Sequence, residues 1–173
     1  MKNVHLNYLL VASMLLLSTF FAFSQKDKKA NKDTKIWRYE LEAVQQGTAG
    51  TYLIKVWSYS KKPDIAIEQA KKNAVHGIIF KGYSGVGAVQ GQHPLTNNPN
   101  LEQEKAEYFD AFFADGGKYM KFVSTSNDGS VAAEDRMKVG KEYKVGVVLS
   151  VNVAELRKDL EAAGIIKGLA AGF

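Results

Sequence analysis

Four glycines and one serine have a spacing that could support chemistry on a phosphate or an acyl group. The glycines are Gly82, Gly85, Gly87 and Gly91. They follow an apolar segment, as a phosphate loop would, but their spacing matches neither GxGxxG nor GxxxxGKS/T, and no helix is predicted to begin beside them. Ser84 lies in GYSGV, where Val86 occupies the position at which the nucleophile elbow GxSxG needs its second glycine. The sequence therefore predicts neither a nucleotide site nor a serine nucleophile.

Two histidines are the next candidates for chemistry. His76 lies near the end of a predicted helix, and His93 lies in the glycine-rich loop. Without cysteine, a zinc site would need both histidines and a carboxylate, and nothing in their spacing brings them together. Each is therefore interpreted as a surface histidine. No cofactor, no metal site and no catalytic residue are predicted, and the chain is expected not to be an enzyme.

The elements that would position these residues are predicted from hydrophobic periodicity. The predicted elements are strands at 36–43 and 51–59, a helix from Pro63 ended by Gly77, a strand at 78–80, a helix capped by Asn98 or Asn100 and ended by Gly116, strands at 118–125, 131–139 and 143–153, and a helix capped by Asn152 with Gly164 after its end. This order, ββαβαβββα, predicts a single α+β domain over residues 36–166. We expect a mainly antiparallel sheet with helices packed on one face.

The segment Gly82–Asn98 has no periodic pattern. An unstructured loop of that length in a compact domain is unusual and is functional, mobile or both. Its residues able to gain area on contact with a partner are Tyr83, Val86, Val89 and Leu95, with Gln92 and His93 as polar contacts. A tolerated insertion is the alternative, because long surface loops add little closure entropy.

The N-terminus has the pattern of an export signal. An apolar run from Tyr8 to Phe23 follows a basic residue, and Ala22 and Ser24 place small residues at the −3 and −1 positions before Gln25. The run is shorter than the roughly 20 residues that a spanning helix needs. We therefore predict a signal peptide over residues 1–24 and a periplasmic or extracellular location, with an uncleaved anchor as the alternative.

The formal net charge of +5 is modest, and much of it lies just after this signal. Residues 25–35 are interpreted as a flexible basic tether, and residues 167–173 as an apolar, glycine-rich tail. The alternative use of the tether is peripheral contact with an anionic membrane through Lys26, Lys28, Lys29 and Lys32. Nucleic acid is not predicted as a partner, because the sequence indicates no basic patch in the folded domain. The absence of cysteine excludes disulfides and a lipid-anchoring cysteine.

Two segments resemble a known group of bacterial proteins. They are IEQAKKNAVHGIIF, at 67–80, and YKVGVVLSVNVAELRKDLEAAGI, at 143–165. Together they are similar to the N-terminal domain of flagellar assembly protein T and to small envelope lipoproteins of the same fold. The resemblance implies a noncatalytic role in assembling or stabilising a larger machine at the bacterial envelope. This chain lacks the anchoring cysteine of the lipoproteins.

These observations lead to two main hypotheses of function, with a surface or secreted factor that has no enclosed site as a third. The first is an exported, noncatalytic accessory protein of the cell envelope that binds other envelope proteins. The second is a small-ligand-binding protein or hydrolase in which Gly82–Asn98 forms one wall of a pocket. A deep polar pocket beside this segment would favour the second hypothesis, and a flat apolar patch would favour the first.

Overall fold

The computed structural model describes residues 37–126 and 129–168. The predicted signal peptide (1–24), the tether (25–35) and residues 169–173 of the predicted tail lie outside the described residues. The described strands and helices are β1 (Tyr39–Gln46), β2 (Thr51–Ser60), α1 (Pro63–Phe80), α2 (Leu101–Glu104), α3 (Ala106–Phe112), a 3-10 helix (Lys118–Phe122), β3 (Val123–Thr125), a second 3-10 helix (Ala133–Asp135), β4 (Arg136–Val139), β5 (Glu142–Asn152) and α4 (Val153–Ala162).

The strands form one antiparallel sheet with β5 at its centre. β2 pairs with one edge of β5 and β1 pairs with β2, whereas β3 and β4 both pair with the other edge of β5. Alternation along β5 places apolar side chains on a single buried face, against which α1 packs. These side chains are Val145, Val147, Leu149 and Val151. The predictions of an α+β domain and of a mainly antiparallel sheet are confirmed.

The predicted strand at 78–80 is wrong, because α1 continues through Gly77 to Phe80. A Cβ at Gly77 would lie 2.3 Å from Leu41 Cδ1, so this glycine lets the helix approach β1 and does not end it. The helix ends at Phe80, and Gly82, just after the C-cap residue Lys81, has a φ of +66° and donates its N–H to the carbonyl of Gly77 at 2.8 Å. The predicted order ββαβαβββα therefore loses its third strand.

Three further predicted elements differ from expectation. The second helix divides at Lys105 into α2 and α3, and Asn100 makes no side-chain cap. Residues 118–122 form a 3-10 helix where a strand was predicted. Tyr119 and Phe122 are its buried residues, and side chains three residues apart share one side of such a helix. Only residues 136–139 of the strand predicted at 131–139 are extended.

α1 lies between the sheet and a layer of aromatic side chains. One side of the helix packs on β2 and β5, and the other packs on the segment from α2 to the first 3-10 helix. The aromatic side chains of that layer are Phe109, Phe112, Phe113, Tyr119 and Phe122, all buried. Lys72 is buried in α1 and its Nζ lies 3.2 Å from Asp115 Oδ1. A helix covered on both sides can bury polar residues that a one-sided amphipathic pattern would place in solvent.

The last helix forms as the sequence predicts. Asn152 Oδ1 accepts a hydrogen bond from the N–H of Glu155 at 3.0 Å, which satisfies an N-terminal donor of α4. Leu156 and Leu160 are fully buried, and Gly164 follows the helix with a φ of +66°. None of the described helices is long and apolar enough to cross a membrane.

Candidate functional site

The glycine-rich segment folds into a small hairpin, which we call the Gly hairpin (residues 82–94). Tyr83 and Gln92 exchange two backbone hydrogen bonds of 2.9 Å, and Val86 and Val89 exchange two of 3.0 Å. Between the two valines, Gly87 has a φ of +59°. A two-residue turn that matches the twist of a hairpin requires such a backbone conformation at its first central residue. The expectation that this segment lacks structure is therefore wrong.

The close approach of the two hairpin arms explains another pair of glycines. A Cβ at Gly85 would lie 2.5 Å from the carbonyl oxygen of Val89 and 2.8 Å from the nitrogen of Gly91. A Cβ at Gly91 would lie 2.7 Å from the nitrogen of Gly85. Real Cβ atoms do not approach backbone atoms so closely, so the close packing of the two arms of the Gly hairpin requires glycine at both positions.

The base of the Gly hairpin is fastened to α1. The N–H groups of Leu95 and Thr96 donate to the carbonyls of Ile78 and Ile79 at 3.1 and 3.2 Å, which satisfies acceptors in the last turn of the helix. Leu95 is only 7% exposed and belongs to the core. The inclusion of Leu95 among the partner-binding residues is therefore wrong, because a buried side chain has no area left to gain on contact.

The other five candidate residues remain on or near the hairpin surface. Val86, next to the turn, is 61% exposed, and His93 is exposed. Val89 and Gln92 are half-buried, and the Gln92 side-chain amide donates to the carbonyl of His93 at 2.7 Å. Tyr83 is half-buried, and its burial, with the nearby Tyr52, raises its pKa to about 12. The hydroxyl of Tyr83 is therefore a neutral donor at physiological pH.

An open cavity of about 590 Å³ lies against the Gly hairpin. Its walls come from both arms and from the end of α1, and they include Lys81, Ser84, His93 and Pro94. The volume falls within the range of roughly 300–1,000 Å³ that is usual for small-ligand sites. The lining is mainly polar, as the second hypothesis of function expects, but the cavity is open and not the deep pocket of that expectation.

His76 is not a surface histidine. It is 4% exposed in α1, and both of its ring nitrogens are engaged. Tyr39 Oη lies 2.6 Å from His76 Nδ1, and Glu102 Oε2 lies 3.2 Å from His76 Nε2. The indole N–H of Trp37 donates to Glu102 Oε1 at 2.8 Å, and the indole is stacked on the imidazole with ring centroids 3.6 Å apart. We call these four residues the His76 clasp.

The charges of the clasp follow from burial. Burial lowers the pKa of His76 and outweighs the opposing effect of Glu102, so the imidazole is neutral. Burial by itself would raise the pKa of Glu102, but hydrogen bonds from His76 and Trp37 hold it below its ordinary value. Burial and the charge of Glu102 raise the pKa of Tyr39. The consistent assignment is that Tyr39 donates to Nδ1 and the Nε2–H donates to ionised Glu102.

Trp37 covers the imidazole at the cost of a strained backbone. Its φ of 46° lies in the left-handed region, which costs a residue with a side chain roughly 1–2 kcal/mol. Lys81 holds this conformation by donating to the Trp37 carbonyl at 3.2 Å, and its Nζ lies 3.9 Å from the centre of the Tyr39 ring. Because both ring nitrogens are engaged and aromatic rings surround the imidazole, the clasp ties the start of β1 and α2 to α1.

Sequence reasoning missed the clasp because its members come from three separate segments. The one local signal is the helical spacing of Asn73, His76 and Phe80, which places them on a side of α1 different from the one that carries Ala70 and Ala74. That second stripe would have indicated a helix covered on two sides. In the described part of the chain, no three His, Asp or Glu side chains lie close enough together to hold a metal ion.

Comparison of the chain with protein-family models, with curated proteins and with solved structures found no match.

Proposed function

We propose that this protein is an exported, noncatalytic accessory protein of the cell envelope that binds other proteins through the Gly hairpin. The observation that carries the proposal is a hairpin ordered by four hydrogen bonds of its own and fastened to α1, with Val86 61% exposed beside its turn. A preorganised element loses little conformational entropy when it binds. The similarity of residues 67–80 and 143–165 to an envelope assembly domain supports the same role.

Site-specific photocrosslinking in the native cells tests this proposal. A photoreactive residue replaces Val86, and a matched variant carries it at Ala163, which is exposed just beyond α4. We expect discrete crosslinked protein adducts from position 86 and none from position 163. The same adducts from both positions, or none from position 86, would contradict a binding role for the hairpin.

Shortening the hairpin separates a binding element from a tolerated insertion. Replacing Gly85–Gln92 by a two-residue turn leaves the anchoring bonds of Leu95 and Thr96 in place, so we expect the melting temperature to change little. If the hairpin binds the partner, the proteins identified in the adducts from position 86 will no longer co-purify with the shortened protein. Retention of every partner at unchanged stability would defeat the proposal.

Export is part of the proposal and has its own measurement. We propose cleavage before Gln25, because Ala22 and Ser24 fit the small-residue preference of signal peptidase. The intact mass of the protein from native cells should correspond to a chain that begins at Gln25. A mass that retains the apolar run Tyr8–Phe23 would contradict cleavage and would place the domain on a membrane anchor.

The polar cavity favours small-ligand binding as a second candidate function. Its volume of about 590 Å³ suits a small polar molecule that lies against one face of the hairpin and the end of α1. A thermal-shift screen with sugars, amino acids and nucleotides tests this candidate on the wild type and on Ser84→Trp, which places a large side chain in the cavity wall. A cavity ligand should raise the melting temperature of the wild type alone. An equal rise in both proteins would place the ligand elsewhere.

A further inference from the structure

A cationic surface lies where β2 ends and β5 begins, beside the first turn of α1. Ser60 at the end of β2 pairs with Tyr143 of β5, and Val139 of β4 pairs with Glu142. We call this surface the basic sheet end; its residues are Lys61, Lys62, Arg136, Met137, Lys138, Val139 and Lys141.

The cations of the basic sheet end are free to meet an external partner. All five are exposed, and within residues 37–126 and 129–168 none of them forms an ion pair. Asp64 and Glu134 are the exposed acids of the same connections, and Glu142 is paired with Arg38. The cations thus outnumber the acids, and they come from two parts of the sequence, residues 61–62 and residues 136–141. This spread explains why the sequence indicated no basic patch in the folded domain.

Two aliphatic side chains lie among these cations. Met137 and Val139 are 40% and 51% exposed, and their register with Lys144 and Glu142 places them on the face of the sheet away from α1. Lys138, between them in β4, is directed to the other face because side chains alternate along a strand. The edge strand β4 therefore carries aliphatic side chains on one face and the cations Arg136 and Lys138 on the other, and all four side chains are exposed.

We propose that the basic sheet end docks on an anionic phospholipid membrane. Cations attracted to lipid headgroups, with aliphatic side chains between them, are the combination that binds proteins at a membrane surface. A nucleic acid backbone would engage the cations but would leave Met137 and Val139 without a role. This docking uses none of the residues of the Gly hairpin, so it is a role separate from the proposed binding of a protein partner.

Vesicle sedimentation of the purified full-length protein tests the proposal. The probes are vesicles of phosphatidylcholine with phosphatidylglycerol and vesicles of phosphatidylcholine alone. Each cation near an anionic surface contributes roughly a fivefold factor to partitioning. We expect binding only to the anionic vesicles, and a loss of roughly tenfold or more in the double variant Lys138→Gln/Lys141→Gln. The matched control Lys105→Gln/Lys121→Gln removes two exposed charges elsewhere and should lose less than about twofold.

A second variant tests the aliphatic side chains without changing the charge. Met137→Ser/Val139→Ser should also weaken binding to anionic vesicles, and the circular dichroism melting curve of each variant should match the wild type because all these positions are exposed. Equal losses in both lysine double variants would overturn the proposal in favour of net charge or the N-terminal lysines. Failure of the wild type to sediment with anionic vesicles would also overturn it. So would an unchanged affinity of the serine variant, which would indicate a soluble polyanion or an acidic protein as the partner.

Discussion

His76 and His93 occupy opposite environments in one small domain. His76 lies in the clasp, where the rings of Trp37 and Phe80 pack against the imidazole and Tyr39 and Glu102 engage its nitrogens. His93 lies at the base of the Gly hairpin and is exposed. From the sequence, both residues are interpreted as surface histidines, because the sequence shows only their neighbours along the chain and not their contacts in the fold.

The His76 clasp and the Gly hairpin are ordered in two different ways. The clasp joins distant residues through buried side chains, so its loss should lower the stability of the whole core. The hairpin is held by its own backbone bonds and by glycines that let its arms approach, so it can open while the core stays intact. Substitutions in the clasp should therefore lower the stability of the whole domain, whereas substitutions in the Gly hairpin should act locally.

The largest expected effect is on the clasp. His76→Ala removes a buried ring and leaves Tyr39 and Glu102 without their shared partner, so we expect the free energy of unfolding to fall by about 3 kcal/mol. His93→Ala is the matched control and should change it by less than about 0.5 kcal/mol. Urea unfolding measures both. Similar losses in the two variants would remove the distinction drawn between the histidines.

A smaller and local effect is expected in the hairpin. Gly85→Ala places a Cβ against Val89 and Gly91 and should raise the rate of chymotrypsin cleavage after Tyr83 about tenfold, because proteolysis follows the population of the open form. Its urea midpoint should move little. Gln90→Ala, at an exposed hairpin position, is the control and should be cleaved at the wild-type rate. A large shift of the urea midpoint for Gly85→Ala would show that the hairpin is coupled to the core.

The smallest effect is a loss of stability between about pH 6.5 and pH 5 that depends on His76 of the clasp. The pKa of His76 is lowered in the folded protein by burial, so below about pH 6.5 the unfolded chain binds a proton that the folded chain does not. The free energy of unfolding should therefore fall as the pH drops below 6.5. Urea unfolding of His93→Gln should show the same fall, whereas His76→Gln should lose it. An unchanged pH profile in His76→Gln would mean that the imidazole is not kept neutral.

The parts of the fold predicted correctly are those in which one pattern decides the structure. Strict alternation gives β5 and the capping residue Asn152 gives α4, because these signals are local. The strand predicted at 78–80 fails because Gly77 looks like a helix end, whereas its true role is set by Leu41 on β1. The sequence does not predict the hairpin for the same reason: Gly85 and Gly91 are needed because they approach each other across its two arms.

The candidate sites show the same limit. Val86 and His93 could be identified as exposed loop residues from composition alone, but the burial of Leu95 depends on its backbone bond to Ile78. The His76 clasp depends on Glu102, 26 residues away, and on Tyr39, 37 residues away. The spacing of Asn73, His76 and Phe80 indicates a second covered side of α1, but no pattern in the sequence identifies Tyr39 and Glu102 as the residues that cover it.

Amide hydrogen exchange across the Gly hairpin tests the central claim most directly, since the proposed function needs an ordered hairpin with an exposed valine. The amides of Tyr83, Val86, Val89 and Gln92 donate hydrogen bonds inside the hairpin. We predict that NMR-detected exchange at these four amides is at least roughly tenfold slower than at Gly87 and Ala88 of the turn, after correction for intrinsic rates. Exchange of all six amides at the rates of an unfolded peptide would contradict the account.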